Sequence, residues 1–190
     1  MRLFLLNNDN NFELSQISNR SRVTKANVRK EINILASIDF IKCKIISREG
    51  ARGAKKKISV WHLNNSFKYL PPIQDLLINP SILLEDDLSN RFKAIGKIKL
   101  LIVSGVFIGE EKSRADILLV CDKLNKTILN KVIKGLEVEI GKELDYVVFN
   151  STEFKYRLDM YDKLVCDVID LSHKKLIDSG QLSTYISKKV

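Results

Sequence analysis

Residues 22–42 read RVTKANVRKEINILASIDFIK, and this stretch decides the fold of the first part of the chain. Val28, Ile32 and Leu35 recur at steps of four and three, the spacing that puts side chains on one face of a helix. Thr24 stands just before the run as the expected N-cap, its hydroxyl within reach of an orphan amide of the first turn. If the apolar stripe is buried, the opposite face carries Lys25, Asn27, Arg29 and Lys30. Upstream, Leu14 and Ile17 also keep helical spacing, and a break is expected near residues 19–23. Two short helices joined by a tight turn follow. Residues 1–7 leave room for about two turns of an earlier helix.

Downstream, residues 41–46 (IKCKII) alternate as a strand, residues 48–57 (REGARGAKKK) read as a loop, and residues 58–63 return as a second strand. Gly50 and Gly53 let that loop bend close to a partner's backbone. The charge is partitioned in the same way as the motifs. Residues 1–72 hold 14 Lys/Arg against 5 Asp/Glu, whereas residues 73–190 hold 18 against 18, so the net +9 lies in the first part. That part is the one expected to meet a polyanion.

Helix, turn, helix and a hairpin with a basic tip resembles the winged helix-turn-helix transcription factors of bacteria and archaea, over about the first 70 residues. The resemblance implies that the second helix enters a major groove of double-stranded DNA. Asn27 and Arg29 are then expected to read bases, with Thr24, Lys25 and Lys30 beside them. Arg48, Arg52, Lys55, Lys56 and Lys57 on the wing would lie near phosphates and contribute affinity by releasing counterions.

The doublet Pro71-Pro72 falls where the charge balance changes, so residues 71–95 are expected as a linker with a connecting helix. A short helix or docking segment at 73–78 and a polar stretch with Glu85, Asp86 and Asp87 fit it. Beyond, an apolar strand at 98–103 leads to Ser104-Gly105-Val106-Phe107-Ile108-Gly109-Glu110, and a second strand at 115–121 contains Asp116. A helix at 124–141, a strand at 144–149, a helix at 151–171 capped by Ser151, and a short strand at 173–177 follow. Residues 179–190 read as a polar tail.

This order resembles the minimal nucleotidyltransferase domain of the polymerase-beta-like superfamily, over residues 96–178. That family carries a Gly-Ser pair, a Gly four residues later and an Asp-x-Asp on the next strand. Asp116 falls on the first carboxylate, Asp145 on the third, and Gly109 on the second glycine. The pair itself is reversed, as Ser104-Gly105, and the second carboxylate position is Leu118. The resemblance implies two divalent metals held by three carboxylates, and an isobutyl group stands where the bridging ligand belongs. Ser104, Gly105, Gly109, Asp116 and Asp145 are therefore expected as a vestigial nucleotide site without metal or catalysis. Alternatively, Asp116 and Asp145 are strand-end carboxylates paired with Lys97 or Lys99. A phosphate-loop reading of Gly105, Gly109, Lys112 and Ser113 fails on spacing and on the strand that follows.

The expected architecture is α+β: a winged helix-turn-helix at 1–70, then a nucleotidyltransferase-like mixed sheet with flanking helices. The expected function is a cytoplasmic, homodimeric, DNA-binding transcriptional regulator without cofactor, its second domain serving dimerisation, sensing or partner docking. Two rivals stand beside it: an active nucleotidyltransferase using Mg²⁺ and NTP, and an antitoxin-type regulator that neutralises a protein partner. Cys43, Cys121 and Cys166 are odd in number and far apart, and His62 and His173 are isolated, so no disulfide framework or zinc spacing is present. The cysteines are expected as buried small hydrophobes. No apolar run approaches the ~20 residues that span a bilayer.

Overall fold

The computed structural model describes residues 1–49, 55–78, 85–110 and 113–187. The chain is a mixed α+β protein with two sheets, dividing into a unit of Met1–Asn79 with Leu136–Lys142 and a unit of Pro80–Gly135 with Glu143–Val190. Among the described residues no helix is long and apolar enough to cross a membrane.

The first unit starts with a single helical turn, α1 (Arg2–Leu5), and the two-residue strand β1 (Phe12–Glu13). Helix α2 (Leu14–Ser21) follows, opened by a reciprocal contact in which the Gln16 carboxamide oxygen accepts from the Glu13 amide at 2.8 Å. It ends at Arg22, whose left-handed φ of 53° turns the chain into α3 (Lys25–Ser37). The Ser18 hydroxyl braces this turn by donating to the Val23 carbonyl. Thr24 occupies the N-cap position of α3, but its side chain makes no capping bond, contrary to the sequence expectation. Strands β2 (Ile41–Glu49) and β3 (Lys55–Leu63) pair antiparallel from Ile41↔Leu63 to Glu49↔Lys55, and β1 joins the other edge of β3 through Phe12↔Trp61. One core collects Phe4, Leu5, Phe12, Ile17, Val28, Ile32, Phe40, Ile41 and Leu63.

Helix α4 (Leu70–Ile78) belongs to this core, because Ile73 and Leu77 pack against it. The proline doublet therefore lies inside a helix instead of marking the end of the first unit. Pro71 and Pro72 sit in the first turn, where amides have no intrahelical acceptor and their loss costs nothing.

The second unit runs α5 (Glu85–Lys93), β4 (Gly96–Val103), a 3₁₀ turn (Gly105–Phe107), β5 (Ile117–Leu124), α6 (Lys126–Ile140), β6 (Tyr146–Phe149), α7 (Ser151–Asp159), α8 (Lys163–Asp170), β7 (Lys174–Asp178) and α9 (Gln181–Ile186). Helix α6 crosses from one unit into the other in sequence, its last residues grouping with the first. The sheet order is β6-β5-β4-β7: β5 and β6 are parallel, joined by the α6 crossover, and β4 is antiparallel to both β5 and β7. Leu100, Ile102, Leu118 and Val120 cluster with Phe154 and Leu158 of α7, Val165 and Val168 of α8, and Leu182 and Ile186 of α9. The alternate residues Leu101, Val103, Ile117 and Leu119 are buried as well, so both faces of the central strands are covered.

Three local expectations change. The helix expected over 151–171 is two helices, because Tyr161 takes a left-handed φ of 53° and Asp162 caps α8 by accepting from the amides of Leu164 and Val165. Asn150, not Ser151, caps α7, accepting from the Glu153 amide at 2.8 Å. The segment expected as a polar tail carries α9, held by burial of Leu182 and Ile186, one helical turn apart. Of the cysteines only Cys121 is buried; Cys43 is exposed on the edge strand β2 and Cys166 is intermediate.

Burial works against ionisation of Asp162, but the Val165 amide, the Arg157 guanidinium and the Leu164 amide outweigh it and hold the carboxyl below its ordinary range. A depressed folded pKa means stabilisation present above the unfolded value of ~3.9 and lost as pH falls through the folded one. Asp162→Ala is expected to cost about 1–2 kcal/mol near neutrality. Thermal unfolding of both proteins across pH checks this: the gap should close in acid, and a gap that stays constant would refute the capping assignment.

Candidate nucleic-acid interface and the Asp116 carboxylate

In the first unit the buried stripe of α3 sets its exposed face. Val28 and Ile32 are each 3 % exposed and Leu35 packs partly buried against the same core. Lys25, Asn27, Arg29 and Lys30 are all exposed, and none of their side chains has an ion pair or hydrogen bond among the described residues. Thr24 is exposed beside them at the head of the helix.

The hairpin supplies the other cations. Arg48 is exposed on β2 but is tied to Glu13 of β1 by an ion pair of 2.8 Å, which fixes its direction and neutralises part of its field. Such a pair contributes at most about 1 kcal/mol. Lys57 is exposed on β3 opposite Ser47. Lys55 and Lys56 lie on β3 opposite Glu49 and Arg48, and their side chains are outside the described residues. Arg52, with Gly50 and Gly53, is also outside them. Two further cations, Lys42 and Lys44, are exposed on the same strand as Arg48 and were not singled out from the sequence. The only signal for them was their alternation with Ile41, Cys43 and Ile45.

In the second unit the expected nucleotide site is occupied by the chain's own carboxylate. Asp116 lies one residue before β5, not within it, and is 6 % exposed. Its Oδ1 accepts from the Val106 amide at 2.9 Å and its Oδ2 accepts from the Asp145 amide at 3.0 Å. Its backbone amide donates to the Asp145 carbonyl, and its carbonyl accepts from the Ser104 amide at 2.9 Å. One residue thus fastens the loop after β4 to the starts of β5 and β6. For Asp116 the alternative of a partnership with Lys97 or Lys99 does not hold, because backbone amides fill that role.

The surroundings are shaped to this clamp. Gly105 has φ of 56°, and a methyl on it would overlap Asp116 Oδ1, so both backbone and space require glycine there. Gly109 turns the end of the same loop at φ of 73°. The Ser104 hydroxyl is buried and donates to the Ala115 carbonyl, with the Ser113 hydroxyl 3.0 Å away. Leu118 is fully buried in the core beside α7 and α8, and Asp145 is exposed. Among the described residues no group of three or more His, Cys, Asp or Glu could hold a metal ion.

These residues do not fit the metal pair that the resemblance implies. A metal pair needs several converging carboxylates, whereas Asp116 is buried with each oxygen held by an amide, and Leu118 lies in apolar packing. Elsewhere in the unit the amide and hydroxyl of Ser151 hold the Asp122 carboxyl below its ordinary range.

Comparison of the chain with protein-family models, with curated proteins and with solved structures gives no match.

The clamp has a measurable weight. Asp116→Asn keeps the size but leaves one of the two amides facing an NH₂ group, and an unsatisfied buried donor costs about 1–3 kcal/mol. Gly105→Ala should destabilise at least as much through overlap and a strained φ. Urea unfolding of the three proteins measures both, and an Asp116→Asn midpoint equal to that of the parent would show the carboxylate to be dispensable.

Proposed function

We propose that this chain is a DNA-binding transcriptional regulator. Its first unit acts as a winged helix-turn-helix module. Its second unit is nucleotidyltransferase-like, without catalysis, and serves dimerisation, sensing or partner docking. The observation that carries the reading is the exposed cationic face of α3, held out from the core by burial of Val28 and Ile32.

The surrounding order supports it. Helix, short strand, helix, helix and an antiparallel hairpin, with the short strand completing a β1-β3-β2 sheet, is an arrangement suited to placing one helix in a major groove and a hairpin beside it. The major groove is about 12 Å wide and admits one helix. The cations of the hairpin then lie alongside the duplex, where each phosphate neutralised releases counterion. A two-fold pair of such chains would double the groove contacts on a symmetric site. Leu118, buried in the core where the second carboxylate of such a site belongs, argues against nucleotide transfer by the second unit.

The test uses the full chain and fluorescently labelled random duplex DNA, titrated at several salt concentrations. Binding should weaken steeply with salt. Replacing Lys55, Lys56 and Lys57 by Ala should lower affinity for all sequences alike and flatten the log–log slope by up to about 2.7, at roughly 0.9 per phosphate contact. Absence of duplex binding at low salt would overturn the proposed function. An unchanged slope would remove the hairpin from the interface.

A further inference from the structure

The rotation of α3 about its own axis separates side chains that the sequence places next to one another. At 3.6 residues per turn each residue advances about 100°. Taking the direction of Val28, Ile32 and Leu35 as inward, Ala26, Lys30, Asn33, Ile34 and Ser37 all lie within about 50° of the outward direction. Asn27 and Arg29 lie about 70–90° from it, on opposite sides of the helix. A helix in a groove points its outward stripe at the floor, where the base edges are, and its flanks at the walls, where the phosphates are.

The outward stripe has a definite chemistry. All five residues are exposed, and Ile34 is 56 % exposed, which leaves its branched side chain open to an apolar contact. The Ser37 hydroxyl is already spent, donating to the Ile34 carbonyl at 2.8 Å. The Asn33 carboxamide and the Lys30 ammonium have no partner among the described residues. The stripe therefore presents two unspent polar heads flanked by the methyl of Ala26 and the branched side chain of Ile34. A surface built only to hold phosphates would carry cations throughout. This one alternates hydrogen-bonding heads with methyl groups, the mixture that base edges in a major groove present in return.

We infer that Lys30 and Asn33, not Asn27 and Arg29, are the base-reading residues of this chain. Their preferred site is a stretch of purines with thymine methyl groups beside it, an inference that rests on the DNA-binding function proposed above. Lysine donates to guanine O6 and N7, and the asparagine carboxamide pairs bidentately with adenine N6 and N7. Ala26 and Ile34 make apolar contact with thymine C5-methyl groups. Ala26 and Asn33 are seven residues apart, about 10 Å along the helix, which matches about three base-pair steps of ~3.4 Å. Asn27 and Arg29, one on each flank, are left to sugar and phosphate.

Selection of the full chain on a randomised duplex library, followed by the same selection with Asn33→Ala, Lys30→Ala and Arg29→Ala, separates the outcomes. Circular dichroism melts confirm folding of each variant, since every substitution is at an exposed position. The parent is expected to enrich a motif with adjacent guanine and adenine. Asn33→Ala should lose the adenine preference by about 5- to 150-fold while keeping the rest of the motif, and Lys30→Ala should relax the guanine position. Arg29→Ala should keep the motif and bind all sequences more weakly. If the parent enriches a motif that Asn33→Ala and Lys30→Ala leave intact, or if Arg29→Ala is the variant that alters it, this assignment is overturned and the DNA-binding function stands. A parent that binds duplex without enriching any motif also overturns it. A parent that binds no duplex overturns the function itself.

Discussion

The rotation of α3 about its axis is the constraint on which the functional surface depends. Burial of Val28 and Ile32, with Leu35 partly covered, fixes that rotation against Phe12, Ile17 and Phe40. Each buried aliphatic side chain contributes about 1.5–3 kcal/mol relative to exposure, so turning the helix by even one residue position would bring polar groups inward at a cost of several kcal/mol. The outward residues are therefore consequences of the inward ones. The turn that precedes the helix is fixed as well, by the left-handed Arg22 and the Ser18 hydroxyl on the Val23 carbonyl. No residue of the outward face needs to hold itself in place.

The second unit depends on a different kind of contact. A carboxylate removed from water is costly unless hydrogen bonds replace its hydration. Asp116 meets that condition with two amides from segments separated in sequence, at Val106 and Asp145, and the result is a cross-brace at the open ends of three strands. The position that the sequence resemblance assigns to chemistry is in this chain a structural fastening. Leu118, two residues on, agrees with that assignment, since its side chain adds to the packing of Phe154 and Val165 instead of ligating anything.

Much of the architecture was legible from the sequence, for reasons that can be named residue by residue. The stripe at 28, 32 and 35 and the alternation at 41–46 are direct images of helix and strand periodicity, and both appear in the structure as α3 and β2. What escaped has no periodic signal. Strand β1 is two residues long, and α9 shows only Leu182 and Ile186 among polar neighbours. The break at Tyr161 puts a bulky residue in left-handed backbone, against local preference, and is maintained by the Asp162 cap that follows. The clamp at Asp116 escaped for another reason: its partners are backbone amides, which every residue but proline possesses, so no residue type announces them.

The same distinction separates the base readers that residue letters suggest, Asn27 and Arg29, from those proposed above on helical phase, Lys30 and Asn33. Charge and hydrogen-bonding capacity are read directly from residue letters: Asn27 carries the second and Arg29 both. Helical phase is read only after the buried direction is known. Affinity for a polyanion sums over all nearby cations and hardly depends on phase, so the net charge of the first 72 residues predicts it from composition alone. Specificity depends on which few heads face the groove floor, and in the proposed complex a shift of three residues, from Lys30 to Asn33, stays on that floor while a shift of one, from Lys30 to Arg29, leaves it. Separating the two contributions onto different sides of a single helix means that either can change by substitution without disturbing the other. On the proposed function, the cations of the flanks and hairpin can vary in number and place, whereas the outward heads are held to positions dictated by Val28 and Ile32 beneath them.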